Sequence, residues 1–122
     1  MLREKFYTCL SVENSTENSR EVRIKLNDKH PVFEGHFPAV PVVPGVCMMQ
    51  IVKEQLEDHL KQKLSLKHAA VLKFMAVINP LEVPELTVKI DFVSGQDGII
   101  ISEGSISSGE KSFFKISKAA YF

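Results

Sequence analysis

Apolar and polar residues alternate along residues 5–11 and again along residues 21–27, where Val22, Ile24 and Leu26 interleave with Arg23, Lys25 and Asn27. A period of two puts the apolar set on one face, so both segments are expected to be half-buried strands. Between them, Asn14-Ser15-Thr16-Glu17-Asn18-Ser19 offers turn formers and no apolar anchor. The period changes after Pro44. Apolar residues at 48, 49, 52, 56, 60 and 64 follow the spacing of about 3.6 that marks an amphipathic helix over residues 45–64. Residues 70–78, 85–93, 98–106 and 111–121, rich in Val, Ile, Leu or Phe, then predict four more strands. Short polar connections at 94–98 and 107–110 make the last three an antiparallel meander, whereas 79–84 is a longer loop.

Two strands, one long helix and four strands form an α+β pattern in which a single helix must cover the sheet. Its first half, Val46-Cys47-Met48-Met49-Gln50-Ile51-Val52, is apolar nearly all round, which predicts burial on every side with Gln50 as the only polar side chain. From Lys53 onward Glu54, Gln55, Glu57, Asp58, His59, Lys61, Gln62 and Lys63 predict a half that emerges toward solvent. A curved sheet wrapped around such a helix satisfies both demands.

Composition narrows the function classes. A chain of 122 residues is expected to form one domain and to bury roughly two thirds of the surface that its unfolded form exposes, without help from a disulfide or metal. Fifteen basic and fifteen acidic residues, with no basic stripe, argue against a nucleic-acid partner. No apolar run approaches the roughly 18 residues of a membrane span, and the charged start Met1-Leu2-Arg3-Glu4-Lys5 is unlike an export signal. Cys9 and Cys47 have no Cys or His at metal-ligand spacing and read as free thiols, so the expected compartment is the cytoplasm.

The chemistry concentrates in Gly35-His36-Phe37-Pro38-Ala39-Val40-Pro41-Val42-Val43-Pro44-Gly45-Val46. Three prolines in seven positions fix φ and remove backbone donors, so this stretch is a stiff extended loop around one titratable side chain. It ends at a helix N-terminus, with Pro44 and Gly45 at the start. Unpaired N–H groups there can bind an oxygen that carries partial negative charge, beside the histidine.

The same residues carry a resemblance. Gly35-His36-Phe37-Pro38, then Pro41, then Pro44-Gly45-Val46, resembles the active-site signature of the hotdog-fold 3-hydroxyacyl-acyl-carrier-protein dehydratases of fatty-acid biosynthesis. His30-Pro31-Val32-Phe33-Glu34 resembles the family's approach to that loop. Phe74, in Leu72-Lys73-Phe74, stands where the family's next strand has an aromatic after a basic residue. The resemblance implies a hotdog fold, a curved antiparallel sheet around one central helix, forming a homodimer. Each site of such a dimer joins the loop histidine of one chain to a helix carboxylate of the other. It further implies no metal or organic cofactor, because the substrate arrives on the phosphopantetheine arm of acyl-carrier protein. His36 is then the base that removes the C2 proton, and the Gly45 N–H stabilises the thioester oxygen. Phe33, Phe37, Pro38 and Val46 would shape the acyl site, and the apolar half-helix a tunnel.

One departure bears on the chemistry. Four residues after Val46 the family has Asp or Glu, which protonates the leaving hydroxyl, and commonly Gln one turn later. Here these are exchanged, as Gln50 and Glu54. An amide has no titratable proton, so Gln50 cannot be a general acid. Three readings stand at this point. Glu54 protonates the hydroxyl from one turn further along, about 6 Å of axial displacement. Alternatively, the chain pairs with a related subunit that supplies the acid, or it handles thioesters without dehydration, as a thioesterase or a carrier-protein-binding accessory subunit. Ala39, where the family usually has Gly, narrows the loop by a methyl group. Lys61, Lys63 and Lys67 suit either an acidic carrier protein or a solvated helix end. His30, His59 and His68 read as surface residues, and Cys47 as a small buried side chain.

Overall fold

Six strands form one antiparallel sheet in which the elements follow in the expected order: β1 (Tyr7–Thr16), β2 (Ser19–Leu26), α1 (Val32–Gly35), α2 (Gly45–Leu60), β3 (Leu66–Phe74), β4 (Glu85–Gly95), β5 (Gly98–Ser108) and β6 (Lys111–Tyr121). The structure is a computed structural model that describes residues 2–35, 41–96 and 98–122, without the side chains of Glu34 and Gly35. The strand order is β1-β2-β4-β5-β6-β3. After β2 the chain leaves the sheet through α1 and α2 and re-enters at the far edge as β3. The fold is the hotdog expected from the sequence. The meander β4-β5-β6 is antiparallel throughout.

Alternation decides which face of the sheet meets the helix. In β4 the residues Leu86, Val88, Ile90 and Phe92 are buried, while Lys89 and Asp91 between them are exposed. Gly104 in β5 lies beside Val52 of α2. A Cβ there would lie 2.9 Å from Ile116 Cγ2, so that side chain would have to shift, and 3.7 Å from Val52 Cγ1, an ordinary contact.

Boundaries differ from the periodicity in four places. β1 runs to Thr16 and its connection shrinks to Glu17-Asn18, because the polar end of β1 is held by a backbone ladder to β2. The Thr16 and Ser19 hydroxyls, 2.7 Å apart, close that turn. β3 begins at Leu66 and stops at Phe74, ahead of the expected span. One turn of helix, α1, interrupts what reads as extended approach to the proline loop.

The fourth difference is the end of α2, at Leu60 rather than Leu64. Lys61 adopts a left-handed conformation (φ 58°, ψ 39°) and donates its N–H to the Glu57 carbonyl, which reverses the chain. The Leu64 N–H then bonds Glu57 Oε2 at 2.8 Å. Left-handed backbone costs a side-chain-bearing residue free energy that glycine does not pay. Lys61→Gly is therefore expected to stabilise the fold by about 0.5–1 kcal/mol, as a rise in urea midpoint at constant m-value. A lowered midpoint would show that the Lys61 side chain contributes more than its backbone costs.

The burial of α2 follows the sequence expectation only in part. In the apolar half Cys47, Met48, Ile51 and Val52 are buried, but Val46 is 72% exposed, and Met49 and Gln50 are only half-buried. The polar half is buried as well, through Glu54, Gln55 and Glu57. The reason lies in donors brought from far along the chain, described below. Among the described residues no helix is long and apolar enough to cross a membrane.

Candidate functional site

The proline loop is fixed at both described ends. Upstream, Phe33 is buried and stacks on Phe6 with ring centroids 5.5 Å apart, and the His30 ring meets Phe6 edge-on at 5.3 Å. His30 Nδ1 accepts the Val32 N–H at 3.1 Å, which starts α1. Phe33, expected to contact substrate, is thus a core anchor for the loop. His30 is a helix-start partner rather than a free surface group. Downstream, Val43 donates its N–H to the Ile78 carbonyl at 2.9 Å and buries its side chain. His36, Phe37, Pro38 and Ala39 lie outside the described residues.

The helix N-terminus has the form expected of an oxygen-binding site. Pro44 is its N-cap in extended conformation, and no side chain caps it. The Pro44 carbonyl takes the N–H groups of Cys47 and Met48. Those of Gly45 and Val46 precede the first intrahelical bonds, as in any α-helix. Phe74 roofs this end, its ring resting on Phe114 at 5.1 Å. A Cβ at Gly45 would come within 2.9 Å of Phe74 Cε1, so glycine is required here by the aromatic roof. Val43, Gly45, Met48, Phe74, Met75 and Val77 line a largely apolar groove of about 440 Å³. It suits an acyl chain or a pantetheine arm beside an N–H donor.

Gln50 faces a different recess. Val46, Met49, Gln50 and Lys53 share one helix face and, with Leu66 and Tyr121, line a groove of about 180 Å³. Gln50 Nε2 donates to Glu54 Oε2 at 2.8 Å, which fixes the amide orientation, since only its NH₂ group can face a carboxylate.

Glu54 is wholly buried, and both its oxygens are in use. Oε2 accepts the Leu2 N–H at 2.8 Å as well as the Gln50 amide. Oε1 accepts the Arg3 N–H at 2.9 Å and the Tyr7 hydroxyl at 3.1 Å. In this chain the Glu54 carboxylate anchors the N-terminal segment, whereas the displaced-acid reading has it reach the substrate.

The network continues through residues to which the sequence reading gave no role. Gln55 Nε2 donates to the Tyr7 hydroxyl at 3.1 Å, and Gln55 Oε1 accepts from Arg20 Nε and Nη2 at 3.2 and 3.1 Å. Burial, with the Glu54 carboxylate beside it, raises the Tyr7 phenol well above its ordinary range and keeps it a donor. Arg3 pairs with Asp58. The available signal was Tyr7 opening an amphipathic strand while Glu54 and Gln55 interrupt a helix that needs a buried face.

Other candidates settle simply. Cys47 is buried and its thiol is pushed up by that burial, so the nearby helix terminus does not make it a nucleophile. Cys9 is a free, exposed thiol. His59, expected at the surface, packs edge-on against Phe92 at 5.3 Å and lies 3.3 Å from Ser15 Oγ. Among the described residues no three His, Cys, Asp or Glu side chains converge in a metal-holding group.

Comparison with known proteins agrees with this geometry. Residues 12–109 match the family model described as ApeI-like, ApeI dehydratase. A 3-hydroxyacyl-acyl-carrier-protein dehydratase FabZ of Caldanaerobacter subterraneus subsp. tengcongensis is 31% identical over 104 residues, covering 78% of this chain and 72% of the relative. FabZ of Chlamydia trachomatis serovar D is 26% identical over 117 residues, covering 83% and 76%. Among solved structures, the dehydratase heterocomplex ApeI:P from Xenorhabdus doucetiae superposes with a TM-score of 0.72 at 18% identity. The match covers 92% of this chain and 96% of that one.

Proposed function

The chain belongs to the ApeI-like dehydratase family, and from that premise we propose that it dehydrates a 3-hydroxyacyl thioester carried on acyl-carrier protein, as the histidine-bearing half of a site completed by a second hotdog chain. His36 removes the proton at C2. The developing charge on the thioester oxygen is held by the Gly45 N–H, at a helix N-terminus without a side-chain cap. The C3–O bond then breaks, the C2–H electron pair becomes the C2–C3 double bond, and the hydroxyl leaves as water with a proton from a carboxylic acid.

The observation that carries the trans arrangement is the occupancy of Glu54. Position 50 holds an amide, and the helix carboxylate one turn on, Glu54, accepts hydrogen bonds from Leu2, Arg3, Tyr7 and Gln50. A homodimer would therefore pair two bases with no acid. The structural neighbour from Xenorhabdus doucetiae is a dehydratase heterocomplex.

Gln50→Glu tests this. The introduced carboxyl would stand beside Glu54, and two carboxylates in contact cannot both ionise, so one keeps a proton to donate. Purified protein is incubated with 3-hydroxyacyl-carrier protein, and the loss of water is followed by mass. Wild type alone is expected to be about 10²- to 10⁴-fold slower than Gln50→Glu, the usual contribution of a general acid. Equal rates for the two would overturn the trans-acid reading.

A further inference from the structure

Glu57 is a buried carboxylate that the proposed reaction does not use. It lies in the last turn of α2 and is only 7% exposed. Oε2 accepts the Leu64 N–H at 2.8 Å, whereas Oε1 is closed to solvent and meets no donor among the described residues. Burying a carboxylate oxygen without a donor forfeits its hydration, so native structures give such an atom a hydrogen bond or a cation.

The surroundings favour positive charge. Glu57, Asp58 and Arg3 line a cleft of about 260 Å³ together with Lys61, Gln62 and Lys63, at the C-terminal end of the helix. The negative end of the helix dipole lies here. In a continued helix the N–H groups of Gln62 and Leu64 would reach the carbonyls of Asp58 and Leu60. The reversal at Lys61 diverts them instead to the Glu57 carbonyl and to Glu57 Oε2. Arg3 and Asp58 pair with each other, so their charges cancel at the rim. Lys61 and Lys63 are exposed, and a long stem lets each ammonium group stay in water.

We propose that the end of α2 binds a monovalent alkali cation, held by Glu57 Oε1 and by carbonyl oxygens of the last turn. A divalent ion does not suit this donor set. Among the described residues no three His, Cys, Asp or Glu side chains converge, and Asp58 is engaged by Arg3. One carboxylate with neutral carbonyls balances a single charge on a hard cation, which takes oxygen ligands. Size points the same way, since an oxygen shut off from water admits only a small ion. The site stands apart from the proposed reaction and needs no second chain. Its occupant ties the last turn of α2 to the chain reversal that leads into β3.

Thermal unfolding of the wild-type protein tests this in potassium, sodium and choline chlorides at one ionic strength of about 150 mM, so that screening is constant and only the cation differs. Choline is too large for the site and sets the baseline. A bound ion stabilises by mass action, so the midpoint is expected about 3–8 °C higher in potassium or sodium than in choline, with a rise that saturates with concentration. Glu57→Gln keeps the shape and an acceptor for Leu64 but removes the charge, so its midpoint should be the same in all three salts. If that variant does not fold, Lys61→Gln/Lys63→Gln takes its place, removing two ammonium groups from the rim while Glu57 stays. It should lower the alkali concentration at half-maximal rise by about two- to fivefold. Equal wild-type midpoints in all three salts would overturn the proposal and leave Oε1 to one of the rim lysines. A full rise in Glu57→Gln, or a half-point unmoved by the lysine substitutions, would overturn it as well by placing the ion elsewhere.

Discussion

Glu54→Ala is expected to cost the fold about 3–5 kcal/mol, because it leaves two backbone N–H groups and a buried phenol without their acceptor. Leu2, Arg3 and Tyr7 all bond this one carboxylate, so the loss falls on the packing of the N-terminal segment against α2. The midpoint of thermal unfolding, followed by circular dichroism, should fall by about 10–20 °C. Amide exchange at Leu2 and Arg3 should accelerate before the rest of the chain responds. Glu54→Gln keeps the shape and one oxygen but turns an NH₂ group toward other donors, so an intermediate loss of about 1–3 kcal/mol is expected. If both variants unfold like wild type, the anchoring role fails. A Glu54→Gln protein with Gln50 intact that stays fully folded yet loses a dehydration rate shown by wild type would return Glu54 to the position of acid.

His36→Ala is the second large effect. In the Gln50→Glu protein, which on our reading supplies its own acid, it should lower kcat by about 10²- to 10⁴-fold with little change in KM. The thioester oxygen and acyl chain would still be held by the Gly45 N–H and the groove under Phe74. The unfolding midpoint serves as the control for fold, and water loss by mass as the readout. A variant that retains its rate would remove the base from the mechanism and leave the motif a loop-shaping role.

The legible parts of this molecule depend on short stretches of chain. Val22, Ile24 and Leu26 announce a strand by themselves, and Pro44-Gly45 announce a helix start, since φ restriction and side-chain period act over a few residues. A curved sheet around one helix followed from six such segments, and the hotdog fold from the resemblance carried by the proline loop. Burial of the polar half of α2 was not legible in the same way. Glu54 belongs inside because Leu2 and Arg3, 52 and 51 residues away in sequence, bring it their N–H groups. Gln55 belongs inside because Arg20 and Tyr7 reach it from β2 and β1. Read locally, these were charged and amide side chains on a solvent face.

The sequence by itself therefore determined the order of elements, the sheet wrapped on one helix, and the helix start after Pro44. Each is set by backbone restriction or a side-chain period within one segment. Only the tertiary structure decided which carboxylate was already engaged, which polar side chains of the helix lay deep, and which strand edge stood open. Those outcomes depend on donors, acceptors and strands that meet only after the chain has folded, and an isolated Glu in a helix carries no mark of the partners that will find it.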